Sequence, residues 1–141
     1  MKINCSILTK FKFIRIDGYD NNHFIYFDKC GFKVAIEKIT KEAFFAYKIY
    51  HPEIEKAKEY LTPICSIEEL KEKYNKHVDN EISKNNFIIK EIKDAIEYDN
   101  LDEIEINRKQ WWLTECKRTI QEIKFTKFKN KLTKISNNKG V

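Results

Sequence analysis

Four cysteines and three histidines are the side chains of this sequence best suited to nucleophilic or metal chemistry, and their spacing favours neither. Cys5, Cys30, Cys65 and Cys116 include no C-x-x-C pair, and His23, His51 and His77 are equally dispersed. Structural zinc draws its ligands in short-range pairs, so neither a metal nor another cofactor is expected. Cys65 is the best candidate nucleophile, because it directly precedes a helix start at Ser66 and helix N-termini stabilise thiolates. Glu68 and Glu69 oppose such a charge, and no histidine is local. There is no Gly-rich phosphate loop, no His-Glu-x-x-His and no nucleophile elbow. The expectation is a protein that is not an enzyme, with a small cysteine-dependent enzyme as the least favoured alternative.

Charge offers more. Residues 1–60 carry 11 basic against 8 acidic groups, residues 61–110 carry 8 against 12, and residues 111–141 carry 8 against 2. The acidic run Glu97, Asp99, Asp102, Glu103, Glu105 lacks the central glycine and the Asp/Asn spacing of a calcium loop. In the basic end, Lys124, Lys127, Lys131 and Lys134 recur at helical spacing beside the apolar stripe Phe125, Phe128, Leu132, Ile135. Such a basic amphipathic segment suits nucleic-acid phosphate, an anionic membrane surface or an acidic groove on a protein. Just upstream, Leu113, Cys116, Ile120 and Ile123 share one helical face; Trp112 borders it and Trp111 points almost opposite. Trp111 therefore enters a second contact or stands exposed, and an exposed tryptophan is a strong partner anchor. The candidate partner-binding residues are Trp111, Arg118, Lys124, Lys127, Lys131 and Lys134.

These groups need elements to position them. The first 38 residues read as a β-meander of three to four strands. Ile3, Cys5 and Ile7 alternate with polar residues, as do Phe32, Val34 and Ile36, and turn residues fall at Asp17–Asn22 and Asp28–Gly31. From Thr40 to residue 136 the reading is mostly helical, in three to five helices. One carries Phe44, Phe45, Tyr47 and Ile49; Pro52 opens another through Tyr60; Pro63 separates it from the next. Ser66 and Glu69 make a capping box ahead of Ile67, Leu70, Tyr74 and Val78. Asn85-Asn86 interrupts before Phe87–Ile96, Leu101–Ile106 reads either way, and a last helix starts near Asn107; residues 137–141 form a loose tail. The predicted class is α+β in a single domain spanning 1–141.

The strand–turn–strand–turn–strand–helix order read over residues 11–50 resembles the AP2-type DNA-binding module of plant regulators and phage integrases. The likeness rests on Gly31-Phe32-Lys33, Thr40-Lys41-Glu42-Ala43 and Tyr47. It implies a sheet in the major groove, contacting nucleic acid through Lys10, Lys12, Arg15, Lys33 and Lys38. The sequence departs from that family in lacking its strand Trp and most of its Arg contacts.

Composition bounds the remainder. Among 27 basic residues 24 are Lys, and Ile and Asn are also over-used, as AT-rich codons produce. No apolar run approaches the ~20 residues of a membrane span, and the start lacks a secretory h-region. Four scattered thiols fit a reducing compartment, so the expected location is the cytoplasm. The function expected is an interaction protein binding another protein or a nucleoprotein complex. A phage- or mobile-element-encoded, anti-CRISPR-like inhibitor is the specific form of that reading, and direct DNA or RNA binding is the alternative.

Overall fold

The computed structural model describes residues 2–129, so Lys131, Lys134, the stripe positions Leu132 and Ile135, and the tail 137–141 lie outside the described residues. The elements run α1 (Cys5–Lys10), β1 (Ile14–Arg15), β2 (Phe24–Lys29), β3 (Phe32–Glu37), β4 (Ala43–His51), β5 (Lys56–Ile64), α2 (Ile67–Tyr98) and α3 (Glu103–Lys124). The class is α+β: an N-terminal five-stranded antiparallel sheet in the order β1-β2-β3-β4-β5, followed by two long helices. The chain divides into two compact units, Met1–Glu72 and Lys73–Val141.

Four sequence expectations give way here, one of them the break at Asn85-Asn86, through which α2 runs uninterrupted. Residues 43–64 are strands rather than helices, so the sheet ends at Ile64 and not at residue 38. Ile3, Cys5 and Ile7 do not form a strand: Asn4 accepts the Ile7 N–H at 2.8 Å and caps a short helix. The AP2-like order fails with them, because its helix is β4.

In the first unit, tight turns set the register. Cys30 and Gly31, both at positive φ, join β2 to β3 in two residues, a geometry that matches strand twist. β3 is the central strand, and both of its faces are covered. Phe32, Val34 and Ile36 point to one side with Phe27 and Ala43, where Phe13 meets Phe32 edge-on at 6.2 Å. Tyr26, Ala35 and Ala46 lie on the other, under Ile16, Tyr19, Phe24, Phe44 and Leu61. β4 pairs with β3 only through Ala46, whereas β4 and β5 stay paired to His51 and Lys56. The hairpin therefore projects as a two-stranded ribbon. Pro63 sits in β5, an edge strand, where its missing N–H interrupts no ladder.

The second unit is a helical hairpin. Asp102 caps α3 by accepting the Glu105 N–H at 2.8 Å, which assigns Leu101–Ile106 to a helix start rather than a strand. At the opposite end the Tyr74 hydroxyl lies 2.6 Å from Thr126 Oγ1, and Asn75 exchanges two hydrogen bonds with the Phe128 backbone. From Tyr74 to Tyr98, and from Glu103 to Thr126, each arm rises about 35 Å at 1.5 Å per residue. Arms of equal length that meet at both ends lie antiparallel. Tyr74, Val78 and Ile92 on α2 and Cys116 on α3 are buried, and the helix sides that carry them are called the seam below.

Candidate functional site

Helical rotation separates the two adjacent tryptophans. Leu113, Cys116, Ile120 and Ile123 face the seam at least in part, so Trp112 lies on a flank of the hairpin and Trp111 on its outer side. Trp111 is 67 % exposed and Trp112 47 %. Ile104, also exposed, shares the outer side with Trp111 at i, i+7, and Arg118 follows at the next i+7 step. Arg118 donates from Nη1 to Glu122 at 2.7 Å and from Nη2 to Glu115 at 2.5 Å, and these two bonds raise its pKa. The outer face of α3 thus presents an indole and, two turns further on, a guanidinium held between two carboxylates.

The basic row is less free than its spacing implies. Lys124 ends α3 with its Nζ 5.0 Å from the Phe125 ring centroid. Lys127 Nζ pairs with Asp79 at 2.8 Å, across the hairpin. Trp111, Arg118 and Lys124 stay on α3, and Lys127 follows it.

The basic residues singled out on the meander do not converge either. Lys10 closes α1, and Lys12 stands in the next turn at positive φ. Arg15 donates to Asp20, at 2.6 Å from Nη2, and lies 3.8 Å from Asp17. Lys33 Nζ sits 4.4 Å from the Tyr19 ring centroid, and the Lys38 amide is spent on the His23 carbonyl. Two of these five cations are thus committed to local partners.

Two arrangements on the sheet were not visible beforehand. On the face carrying Tyr26, Glu59 accepts hydrogen bonds from both Tyr19 (2.8 Å) and Tyr26 (3.0 Å), one on each oxygen. Burial first, and then Glu59, push Tyr26 up to about 12; Glu59 is the main cause of the rise at Tyr19. On the projecting ribbon, His51 stands between Tyr60 (2.7 Å from Nε2) and Glu53 (3.2 Å from Nδ1). Carboxylate, imidazole and phenol in that order can pass a proton, and here they also tie the turn Pro52–Glu55 to the strands. Cys65 is exposed; its amide donates to Glu69 Oε2 at 2.9 Å, while Ser66 Oγ accepts the Glu69 N–H at 3.1 Å.

The clamp makes a pH prediction. The raised Tyr26 pKa means the folded state keeps a proton that the unfolded chain releases near pH 10, so this contribution is intact below pH 10 and is lost as pH climbs towards 12. In an ultraviolet phenolate titration, Tyr26 is expected among the last tyrosines to ionise. Glu59→Gln should bring it only part of the way back, because burial is the larger cause. Full return to the ordinary value would show that burial contributes nothing.

Among the described residues, no group of three or more His, Cys, Asp and Glu is placed to hold a metal ion, and no helix is long and apolar enough to cross a membrane. Compared with family models, curated proteins and solved structures, the chain matches none.

Proposed function

We propose that the protein is a non-enzymatic interaction protein that docks on another protein through the outer face of α3. The observation that carries this reading is Trp111, two-thirds exposed in the middle of a helix whose opposite side is committed to the seam. Tryptophan and arginine, here two turns apart on one side of the helix, are both enriched at the centres of protein interfaces. The ion pairs of Arg15 and Lys127 weigh in the same direction, since cations already spent on carboxylates release fewer counterions from a nucleic acid. For the partner we propose a nucleic-acid-handling complex, inhibited as anti-CRISPR proteins inhibit theirs. What supports that narrower step is the small size and the Lys-, Ile- and Asn-rich composition common among mobile-element proteins.

The test is a comparison of binding modes. Trp111→Ala is expected to weaken association with the protein partner by about 30-fold or more, mainly through faster dissociation. Reversing Lys124 and Lys127 to Glu should instead slow association. Tight binding to random duplex that falls steeply with salt and ignores Trp111→Ala would replace this reading with direct nucleic-acid binding.

A further inference from the structure

We infer that the outer face of α3, when no foreign protein occupies it, is covered by the same face of a second copy lying antiparallel to it. Self-association and docking then exclude each other. This rests on the docking reading for the face it uses, and adds how that face is regulated.

Four exposed side chains recur at every seventh position of α3: Ile104, Trp111, Arg118 and Phe125. Phe125 is the C-cap and keeps helical backbone. Seven residues turn about 700°, or about 20° short of two full turns, so the row drifts slowly around the helix. A second helix crossing at about 20° stays on such a row. Three residues further on, Asn107, Thr114 and Gln121 form the adjoining line, exposed and uncharged. Thr114 already spends its hydroxyl on the Gln110 carbonyl at 3.0 Å. The centre of the outer face therefore carries one charge, Arg118, and Glu115 and Glu122 neutralise it. A long strip free of lysine and carboxylate, bordered by charge on both sides, is the layout of a helix that receives another helix.

The borders identify that second helix. One border reads Glu103, Gln110, Lys117, Lys124, and the other reads Arg108, Glu115, Glu122. Each changes sign along the helix, in opposite directions. In an antiparallel pair of copies each border meets its own reverse. With the two-fold axis between Trp111 and Thr114, Glu103 of one copy meets Lys124 of the other, and Arg108 meets Glu115, each twice. Lys117 meets the neutral Gln110. Along the centre, the two Trp111 rings fall within one turn of each other, Ile104 falls between Gln121 and Phe125 of the other copy, and Arg118 meets Asn107. Sliding one copy by seven residues sets Arg108 against Arg108 or Glu115 against Glu115, and a parallel pair sets Arg118 against Arg118. One antiparallel register thus satisfies both borders, as an isologous contact requires. Three large apolar side chains per copy make a modest contact, so the dimer belongs at the weak end of specific interfaces and dissociates in the micromolar range.

The experiment uses the full chain in sedimentation equilibrium across the micromolar range, with circular dichroism as the folding control. The parent should populate a dimer. Trp111→Ala should weaken it at least about 10-fold without loss of helix, because the ring is exposed. Trp112→Ala, on the flank, should leave it unchanged. The decisive arm is charge. Glu103→Lys and Lys124→Glu should each weaken the dimer about 10-fold, since each sets like charges together twice. An equimolar mixture of the two should form a heterodimer of parental affinity, which the parallel arrangement would not produce. A monomeric parent overturns the inference, leaves the face to a foreign protein alone and leaves the docking reading standing. A dimer indifferent to Trp111→Ala, or a mixture that associates no better than either variant by itself, overturns it as well. Binding to a foreign protein that ignores Trp111→Ala, beside a dimer that does not, sinks the docking reading and keeps this one.

Discussion

Tyr74→Ala should cost about 3–5 kcal/mol and open the hairpin at the end opposite its turn. The ring is fully buried, meets Phe128 edge-on at 5.4 Å, and ends in a hydroxyl 2.6 Å from Thr126 Oγ1. Thr126 spends its own proton on the Ile123 carbonyl at 2.6 Å, so Tyr74 is the donor in a chain of two hydrogen bonds that closes the C-terminus of α3. Tyr74→Phe separates the contributions. It keeps the ring and leaves Thr126 with its acceptor, so it should cost only about 0.5–1.5 kcal/mol. Denaturant midpoints at constant m-value provide the measurement. Equal losses for the two variants would show that the hydroxyl, not the packed ring, holds the hairpin closed.

The α2–α3 hairpin was partly legible. Ser66 and Glu69 announced a helix start, and Leu113, Cys116, Ile120 and Ile123 announced a seam. Asn85-Asn86 looked like a break because asparagine usually competes with the helical backbone. In place, Asn85 Nδ2 donates to the Glu81 carbonyl one turn back at 2.8 Å, and α2 continues. The Leu101–Ile106 ambiguity had a local answer in Asp102, whose side chain fits an N-cap better than a strand.

Residues 43–64 were misread for a physical reason. β4 is covered on both faces near β3: Ala43 is buried on one, Ala46 on the other, with Phe44 and Phe45 half-buried between them. A two-sided strand shows no period of two, and Phe44, Phe45, Tyr47 and Ile49 then pass for a helical stripe. Pro52 suggested a helix start but belongs to the loop Pro52–Glu55, where Glu55 takes positive φ between the paired His51 and Lys56. Alternation at Phe32, Val34 and Ile36 was read correctly even though both faces of β3 are covered, because the alternate positions Lys33, Ala35 and Glu37 are small or polar.

The candidate surface divides the same way. Separation of Trp111 from the seam follows from 100° per residue and needs no tertiary knowledge. The Tyr19–Glu59–Tyr26 clamp joins positions 40 and 33 residues apart, and only the register of the sheet brings them together. Likewise, the pairing of Lys127 with Asp79 spans 48 residues, so helical spacing alone showed a free basic row where one member is spoken for.

Phe32→Ala should be the most damaging single change in the sheet, at about 3–5 kcal/mol. Phe32 opens the central strand directly after the Cys30-Gly31 turn and is 1 % exposed. Its ring stacks on Phe45 at 4.7 Å and 16° and takes the Phe13 edge at 6.2 Å, so truncation leaves two aromatic neighbours facing a void. From Phe45 the stack continues through Tyr47 at 5.2 Å and Tyr60 at 5.7 Å, out along the ribbon, with each ring less deeply held than Phe32. The losses from ring-to-alanine changes should therefore fall along that line. Ile49→Ala, on the exposed ribbon beyond the end of β3, should cost less than about 1 kcal/mol. Chemical denaturation of the four ring-to-alanine variants and of Ile49→Ala orders them directly. A Phe32→Ala loss no larger than that of Ile49→Ala would mean that the sheet is held by its hydrogen-bonded ladder and turns, and that the ring stack contributes no more than surface contacts do.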